Sequence, residues 1–338
     1  MVQHDKKSVI SVYTVVALYW FSLYTYGSVL SNHATAMGAD AVMVGLIVGS
    51  YGIAQMALRL PMGILSDVVK RRKLFIGAGL MISVASGIGL WLAQTPVQLL
   101  IFRTMAGMGV ATSIVIPGYL TEAFPHEDGH RTMGNMSAAF EIGRSSALLA
   151  GGFIAQMLGV RWAFFLGGIA AALSMVPWFL MPSDTYHPEH RKHSIPELLK
   201  VIGDRDLLYS SIITIFFQFA VFASVFTFTP MLAKGIGINE AMIGVLTAVF
   251  TMTGIASAIL SGTYLKRRFG PKRTVCAAFL ASGLIFLITP HLETALLLFA
   301  FQIAAGFSMG MILPVMMAQS IRGVPGEKKG SAMGYFQS

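Results

Sequence analysis

Gly63-Ile64-Leu65-Ser66-Asp67-Val68-Val69-Lys70-Arg71-Arg72-Lys73 separates two long apolar runs, and the chain repeats the arrangement in Gly262-Thr263-Tyr264-Leu265-Lys266-Arg267-Arg268-Phe269-Gly270-Pro271-Lys272-Arg273. In both, a glycine ends an apolar segment and a tight basic turn opens the next. Working outward from these turns, the runs are of bilayer length: a hydrocarbon core about 30 Å thick needs roughly 20 apolar residues rising about 1.5 Å each. Ten complete runs occur, at 9–33, 41–65, 74–94, 97–121, 133–157, 161–181, 207–230, 240–264, 273–291 and 294–319. The two basic turns follow the second run and the eighth. They hold equivalent places if the chain is built from six-helix repeats.

Composition agrees with a lipid solvent. The 338 residues are 55% hydrophobic and 12% charged, too little polar surface to cover a water-soluble fold. The 35 glycines suit helices that approach closely. The net charge of +9 does not point to nucleic acid, because the basic residues lie between apolar runs and not on one soluble surface. A single cysteine, Cys276, excludes an intrachain disulfide and a cysteine-rich metal site.

Lys6, Lys7, the run from Val9 and Ala34-Thr35-Ala36 have the outline of a signal peptide, but the run is long and carries Tyr13, Tyr19, Trp20, Tyr24 and Tyr26. It is read as the first span. With the N-terminus inside, 19 of the 24 Lys and Arg fall on the cytoplasmic side, leaving Arg161 and Lys234 outside and Arg59, Arg103 and Arg144 within spans. That asymmetry fixes the expected orientation.

Residues 1–182 are expected to form a six-helix bundle, 183–206 a cytoplasmic linker, and 207–338 a second bundle with four complete helices. Ser194-Ile195-Pro196-Glu197 has capping-box spacing before Leu198, Leu199 and Ile202, so a short surface helix is an alternative to a plain connection. His187, His190 and His193 are read as solvated linker residues, and no metal site or cofactor is expected.

These features resemble the major facilitator superfamily of secondary transporters over essentially the whole chain. Gly63, Asp67, Arg71 and Arg72 are similar to the family's signature after helix 2, with Arg59-Leu60-Pro61 leading in as in drug- and sugar-efflux members. Arg103, Gly107 and Gly109 resemble its helix 4 motif, and Arg161-Trp162 its helix 6 opening. Departures exist: Val68 stands where the family usually has Arg, Lys70 where it has Gly, and Lys266 replaces the acid of the second copy. Helix 5 has Gly143, Gly151 and Gly152 but no proline, so the antiporter signature is not met. The resemblance implies an all-α membrane protein of two six-helix bundles, monomeric, in the inner (plasma) membrane, moving a small solute by alternating access, with protons as the coupling ion. It also implies twelve helices, so Gly330–Ser338, too short to span, reads as the start of an eleventh helix in a truncated chain.

Ionisable residues at membrane depth need partners or a water-filled cavity. Glu141 and Arg144 share a face near the middle of helix 5 at i, i+3 spacing. Glu141 can carry a proton or hold a cationic solute; alternatively the two neutralise each other and pin the helix. For Arg103 the resemblance implies proton coupling or anion contact, against an arginine that snorkels or bonds backbone carbonyls. Trp20, Tyr24 and Ser28 form a helix 1 stripe, followed by Asn32, and Gln218, Phe222 and Phe226 the helix 7 equivalent; each lines a cavity or simply packs. Gln302 and Gln319 are weaker candidates. Asp67 is expected to gate, pairing with Arg71 or Arg131 and facing the N-terminus of helix 11.

Other functions fit less well. No Gly-rich run ending in Lys-Ser/Thr precedes a soluble helix, which argues against ATP-driven pumping. His33, His126, His130 and His291 lie near span ends with no paired nucleophile or metal ligands, so an enzyme is not expected. A transporter-like sensor would carry a soluble domain that the sequence does not show. An uncoupled facilitator stays open.

Overall fold

The computed structural model describes residues 6–69, 71–123, 129–184, 205–260, 270–320, 322 and 336. Every element among them is helical, and the chain divides into two compact units, Met1–His190 and Arg191–Ser338. The first holds α1 (Lys6–Tyr24), α2 (Leu30–Ala36), α3 (Ala41–Val69), α4 (Arg72–Leu92), α5 (Pro96–Ala111), α6 (Ile116–Ala123), α7 (Gly129–Leu158) and α8 (Val160–Leu180). The second holds α9 (Arg205–Ala220), α10 (Thr229–Gly235), α11 (Glu240–Leu260), α12 (Pro271–Ile288), α13 (Ala295–Gly310) and α14 (Ile312–Ser320). The expected surface helix at 194–202 and the second basic turn up to Phe269 lie outside the described residues, as does the start of helix 11 apart from Phe336.

Among the described residues, eight segments are long and apolar enough to cross a membrane. The expected first and fifth spans do not qualify. The first yields a shorter apolar helix, Ser8–Tyr24. In α7, polar residues at its start and the Glu141–Arg144 pair at its middle dilute the apolar character. The outward face is greasy all the same: Phe219, Leu280 and Leu296 are 72%, 75% and 80% exposed, a surface that suits lipid chains.

Several spans expected to be continuous are broken. After Tyr24 the backbone tightens, with Gly27 N–H donating to Tyr24 O at 3.0 Å, before α2 begins. Thr25 contributes, because its hydroxyl donates to the Phe21 carbonyl at 2.6 Å and such back-bonding bends helices. The trajectory from Trp20 and Tyr24 therefore does not run on as one α-helical face to Ser28 and Asn32. The fourth, seventh and tenth spans break just before a proline: a 3₁₀ turn Thr112–Val115 before Pro117, a π segment Val221–Phe228 before Pro230, and the α13–α14 junction before Pro314. Proline removes the N–H that would bond four residues back, so the preceding turn rewinds. Pro61 and Pro177 are accommodated inside α3 and α8 without a break.

Two helix ends, one in each unit, share the same turn geometry. Gly38, at φ 88°, ends α2: Gly38 N–H donates to Thr35 O at 2.9 Å and Ala39 N–H to Ala34 O at 3.1 Å. Gly237, at φ 84°, ends α10 in the same way: Gly237 N–H donates to Lys234 O at 3.1 Å and Ile238 N–H to Ala233 O at 2.9 Å. Both are left-handed glycine caps. The next helix then starts alike: Met43 N–H donates to Asp40 Oδ1 at 2.8 Å and Met242 N–H to Asn239 Oδ1 at 2.9 Å. Thr95 and Thr294 likewise cap α5 and α13.

Within the first unit α1 packs on α7 and α8, α3 on α5, and α4 on α5 and α8; within the second α11 packs on α13 and α9 on α14. Two small-residue contacts set the closest approaches. A Cβ on Gly143 or Gly151 of α7 would collide with the Ala17 or Thr25 carbonyl, and one on Gly310 would collide with the Gly254 backbone.

Candidate functional site

The glycine contact that presses α7 against the first span brings four of the expected residues together. Trp20 meets Phe140 edge-on with ring centroids 4.4 Å apart, and Tyr24 lies 6.0 Å from Trp20. The Arg144 guanidinium sits 5.2 Å from the Phe140 ring and 5.9 Å from that of Tyr24. Arg144 Nη2 is 2.8 Å from Glu141 Oε2, with 23% and 28% of the two side chains exposed. The contact is an ion pair by distance without hydrogen-bond alignment, since Glu141 Oε2 and Arg144 Nε make no hydrogen bond. The pair is therefore close, partly accessible and incompletely satisfied. A carboxylate so placed can gain or lose a proton without dismantling a full hydrogen-bond network.

Arg103, on α5, is 5% exposed. Its guanidinium lies 4.1 Å from the Tyr51 ring of α3 and 5.3 Å from the Tyr26 ring. Its Nε and Nη1 have no hydrogen-bond partner. It neither snorkels nor bonds a carbonyl through those two atoms. Tyr51 is within electrostatic reach of Tyr24, Tyr26, Arg59 and Arg103, and so links the arginine's aromatic slot to the α1–α7 cluster. Tyr26, Tyr51 and Phe140 were not singled out from sequence as site residues. Tyrosine-rich α1 was a visible signal, but nothing in the periodicity of α3 marks Tyr51 as Arg103's neighbour.

The second-unit candidates are less assembled. Gln218 is exposed on α9, and Phe222 stacks with Phe226 at 5.5 Å inside the π segment. Gln302 is buried and donates from Nε2 to Thr229 Oγ1 at 3.1 Å, a bond between α13 and α10. In the gating motif, α3 runs past Gly63 to Val69, Arg71 is exposed, and the Arg72 guanidinium lies against Gly118 of α6. The side chains of Asp67 and Arg131 lie outside the described residues. Among the described residues no group of His, Cys, Asp or Glu is arranged to hold a metal ion.

Beside these stands a clamp that sequence did not indicate. Asp184 accepts from Lys73 N–H at 3.0 Å through Oδ1 and 3.3 Å through Oδ2, and Lys73 Nζ donates to Met181 O at 2.5 Å. Trp178 Nε1 donates to Lys73 O at 2.9 Å and Tyr119 Oη to Pro182 O at 2.7 Å. Together they tie the N-terminus of α4 to the C-terminus of α8 and to α6.

Comparison with known proteins places this arrangement in context. An uncharacterized MFS-type transporter of Methanocaldococcus jannaschii is 24% identical over 318 residues, covering 91% of this chain and 81% of the relative. The multi-drug resistance efflux pump PmrA of Streptococcus pneumoniae is 24% identical over 259 residues, covering 75% of this chain; the match spans only 64% of that protein's length. The crystal structure of a D-xylose-proton symporter superposes with a TM-score of 0.75 at 15% identity, covering 98% of this chain and 86% of that one, which supports the fold. The family model described as Major Facilitator Superfamily matches residues 12–338, and the chain belongs to that family of membrane transporters.

Proposed function

We propose that the protein is a proton-coupled secondary transporter of a small organic solute, working by alternating access and having no catalytic role. The Glu141–Arg144 pair beside Trp20, Tyr24 and Phe140 carries this reading, because it puts a partly accessible carboxylate at mid-helix among aromatic side chains suited to a solute. In this reading Glu141 exchanges a proton, Arg144 holds the carboxylate while it is charged, and the turn carrying Gly63, Asp67, Arg71 and Arg72 gates. The relatives include a multidrug efflux pump, and a protein of similar structure is a proton symporter; the second accords with coupled movement of solute. In this reading the protein is a multi-pass monomer of the inner (plasma) membrane, and the distribution of Lys and Arg supports a cytoplasmic N-terminus.

The ion pair also favours a second reading, an uncoupled facilitator in which Glu141 is permanently neutralised by Arg144. Full-length protein in proteoliposomes, with proton movement recorded while sugars, cationic drugs and organic anions are screened, separates the two. Glu141→Gln is expected to abolish solute-driven proton movement. Unchanged coupled flux in a folded variant would remove Glu141 from the mechanism, and solute flux without proton movement in the parent would establish the facilitator.

A further inference from the structure

We propose that the second unit carries a binding site for an acidic phospholipid, whose headgroup phosphate seats among Lys272, Arg273 and Arg322. The inference lies beyond the transport reading and needs only that the chain spans a bilayer. Where α12 begins and α14 ends, Gly270, Pro271, Lys272, Arg273, Gln319 and Arg322 line a cleft of about 310 Å³. That volume is at the lower end for a small-ligand site and suits a headgroup better than a whole lipid. Two of its cations come from the first turn of α12 and the third from just beyond α14, where Arg322 N–H donates to Gln319 O at 3.1 Å. The three form no ion pair among the described residues. None of the acids among the second unit's described residues, Asp206, Glu240 and Glu293, lines the cleft.

Basic residues at the end of a span are expected of any membrane protein. Two further features make this group a lipid site. First, the cations converge on one cleft from two helices, and a phosphate between them can accept from an ammonium and two guanidinium groups together. Second, the cleft stands at the head of an apolar row. Arg273 is followed on one face of α12 by Ala277, Leu280, Leu284 and Leu287, at steps of four and three residues, all of them exposed. α4 exposes Leu74, Ala78, Met81, Ala85 and Ile88 at the same steps although α5 and α8 both pack against it, so a row of this kind is the side of a helix that meets lipid. An acyl chain lying along the α12 row brings its headgroup to Arg273. That continuity favours a lipid over a soluble phosphate, which would gain nothing from the row. The start of α4 needs no such ligand, because the Asp184 carboxylate already accepts from the Lys73 N–H.

The test uses full-length protein carrying Cys276→Ser and Ala277→Cys, with a bimane label on the new thiol one turn below Arg273. It is reconstituted in phosphatidylcholine vesicles doped with phosphatidylglycerol whose acyl chains are brominated, and then with the bromine on the phosphatidylcholine instead. The two degrees of quenching give the preference for the acidic lipid at that position. Each cation near a membrane surface contributes about fivefold, so the parent is expected to prefer phosphatidylglycerol by about twentyfold or more. Arg273→Gln should lower the preference by about fivefold, and Arg273→Gln with Arg322→Gln should bring it near parity. Lys6→Gln with Lys7→Gln removes the same charge elsewhere and should leave it unchanged. Inorganic phosphate in the buffer should not displace the lipid. If the double cleft variant does not fold, either single variant carries the comparison.

No preference in the parent, a preference untouched by the cleft variants, an equal loss in the Lys6 and Lys7 variant, or displacement by inorganic phosphate would overturn the inference. All four results leave the transport reading intact. Conversely, solute flux without proton movement would refute coupling and leave the lipid site standing.

Discussion

At the scale of single residues, the closest backbone approach around the candidate site depends on hydrogen in place of a methyl group. A Cβ on Gly151 would meet the Thr25 carbonyl, a backbone atom that cannot turn aside as a flexible side chain would. Gly151→Ala is therefore expected to push α7 from the first span and cost about 1–3 kcal/mol, as overpacking does. Gly45 of α3 has nothing within 4 Å of its would-be Cβ, so Gly45→Ala should be neutral or stabilising by up to about 1 kcal/mol. Thermal melts of both variants check the pair, and equal losses would refute the close-contact account. Sequence showed the glycines and the Trp20–Tyr24 and Glu141–Arg144 spacings, because helical periodicity states which residues share a face. It did not show that Tyr26 and Tyr51 enclose Arg103, since periodicity within one helix carries no information about which neighbour faces it.

Among elements, the helix ends that meet at Asp184 make a similar point. Asp184 was expected to be linker, yet its carboxylate accepts the Lys73 N–H in the first turn of α4, where a negative charge also suits the helix dipole. Asp184→Ala is expected to lower stability by about 0.5–2 kcal/mol, with Asp184→Asn losing less because an acceptor remains. Trp178 reports on the same region, since its Nε1 bonds the Lys73 carbonyl and the Lys73 ammonium lies 5.6 Å from its ring. Its emission should shift to the red in Asp184→Ala, and an unchanged spectrum and melt would show that the clamp contributes nothing. Element existence was largely legible from apolar run lengths. Breaks inside spans were not, because Pro117, Pro230 and Pro314 sit beside rewound turns while Pro61 and Pro177 do not. Local sequence does not decide which proline the packing absorbs.

For the whole molecule, the distribution of charge separates two jobs. Every ionisable residue deep within a span belongs to the first half, while the equivalent positions of the second offer an amide and aromatic rings: Gln218, Phe222 and Phe226. A transporter so divided would couple ions through one half and recognise the uncharged part of its solute with the other. Phe222→Ala is then expected to weaken solute binding by about tenfold, the scale of one aromatic contact, while the number of protons moved per solute stays the same. Glu141→Gln should do the reverse, changing that ratio even where solute still binds. Simultaneous proton and labelled-solute fluxes in proteoliposomes yield both quantities from one preparation. A Phe222→Ala variant with an altered ratio would mean that the second half takes part in coupling, and one with unaltered affinity would place the solute elsewhere; either result would refute the division of labour.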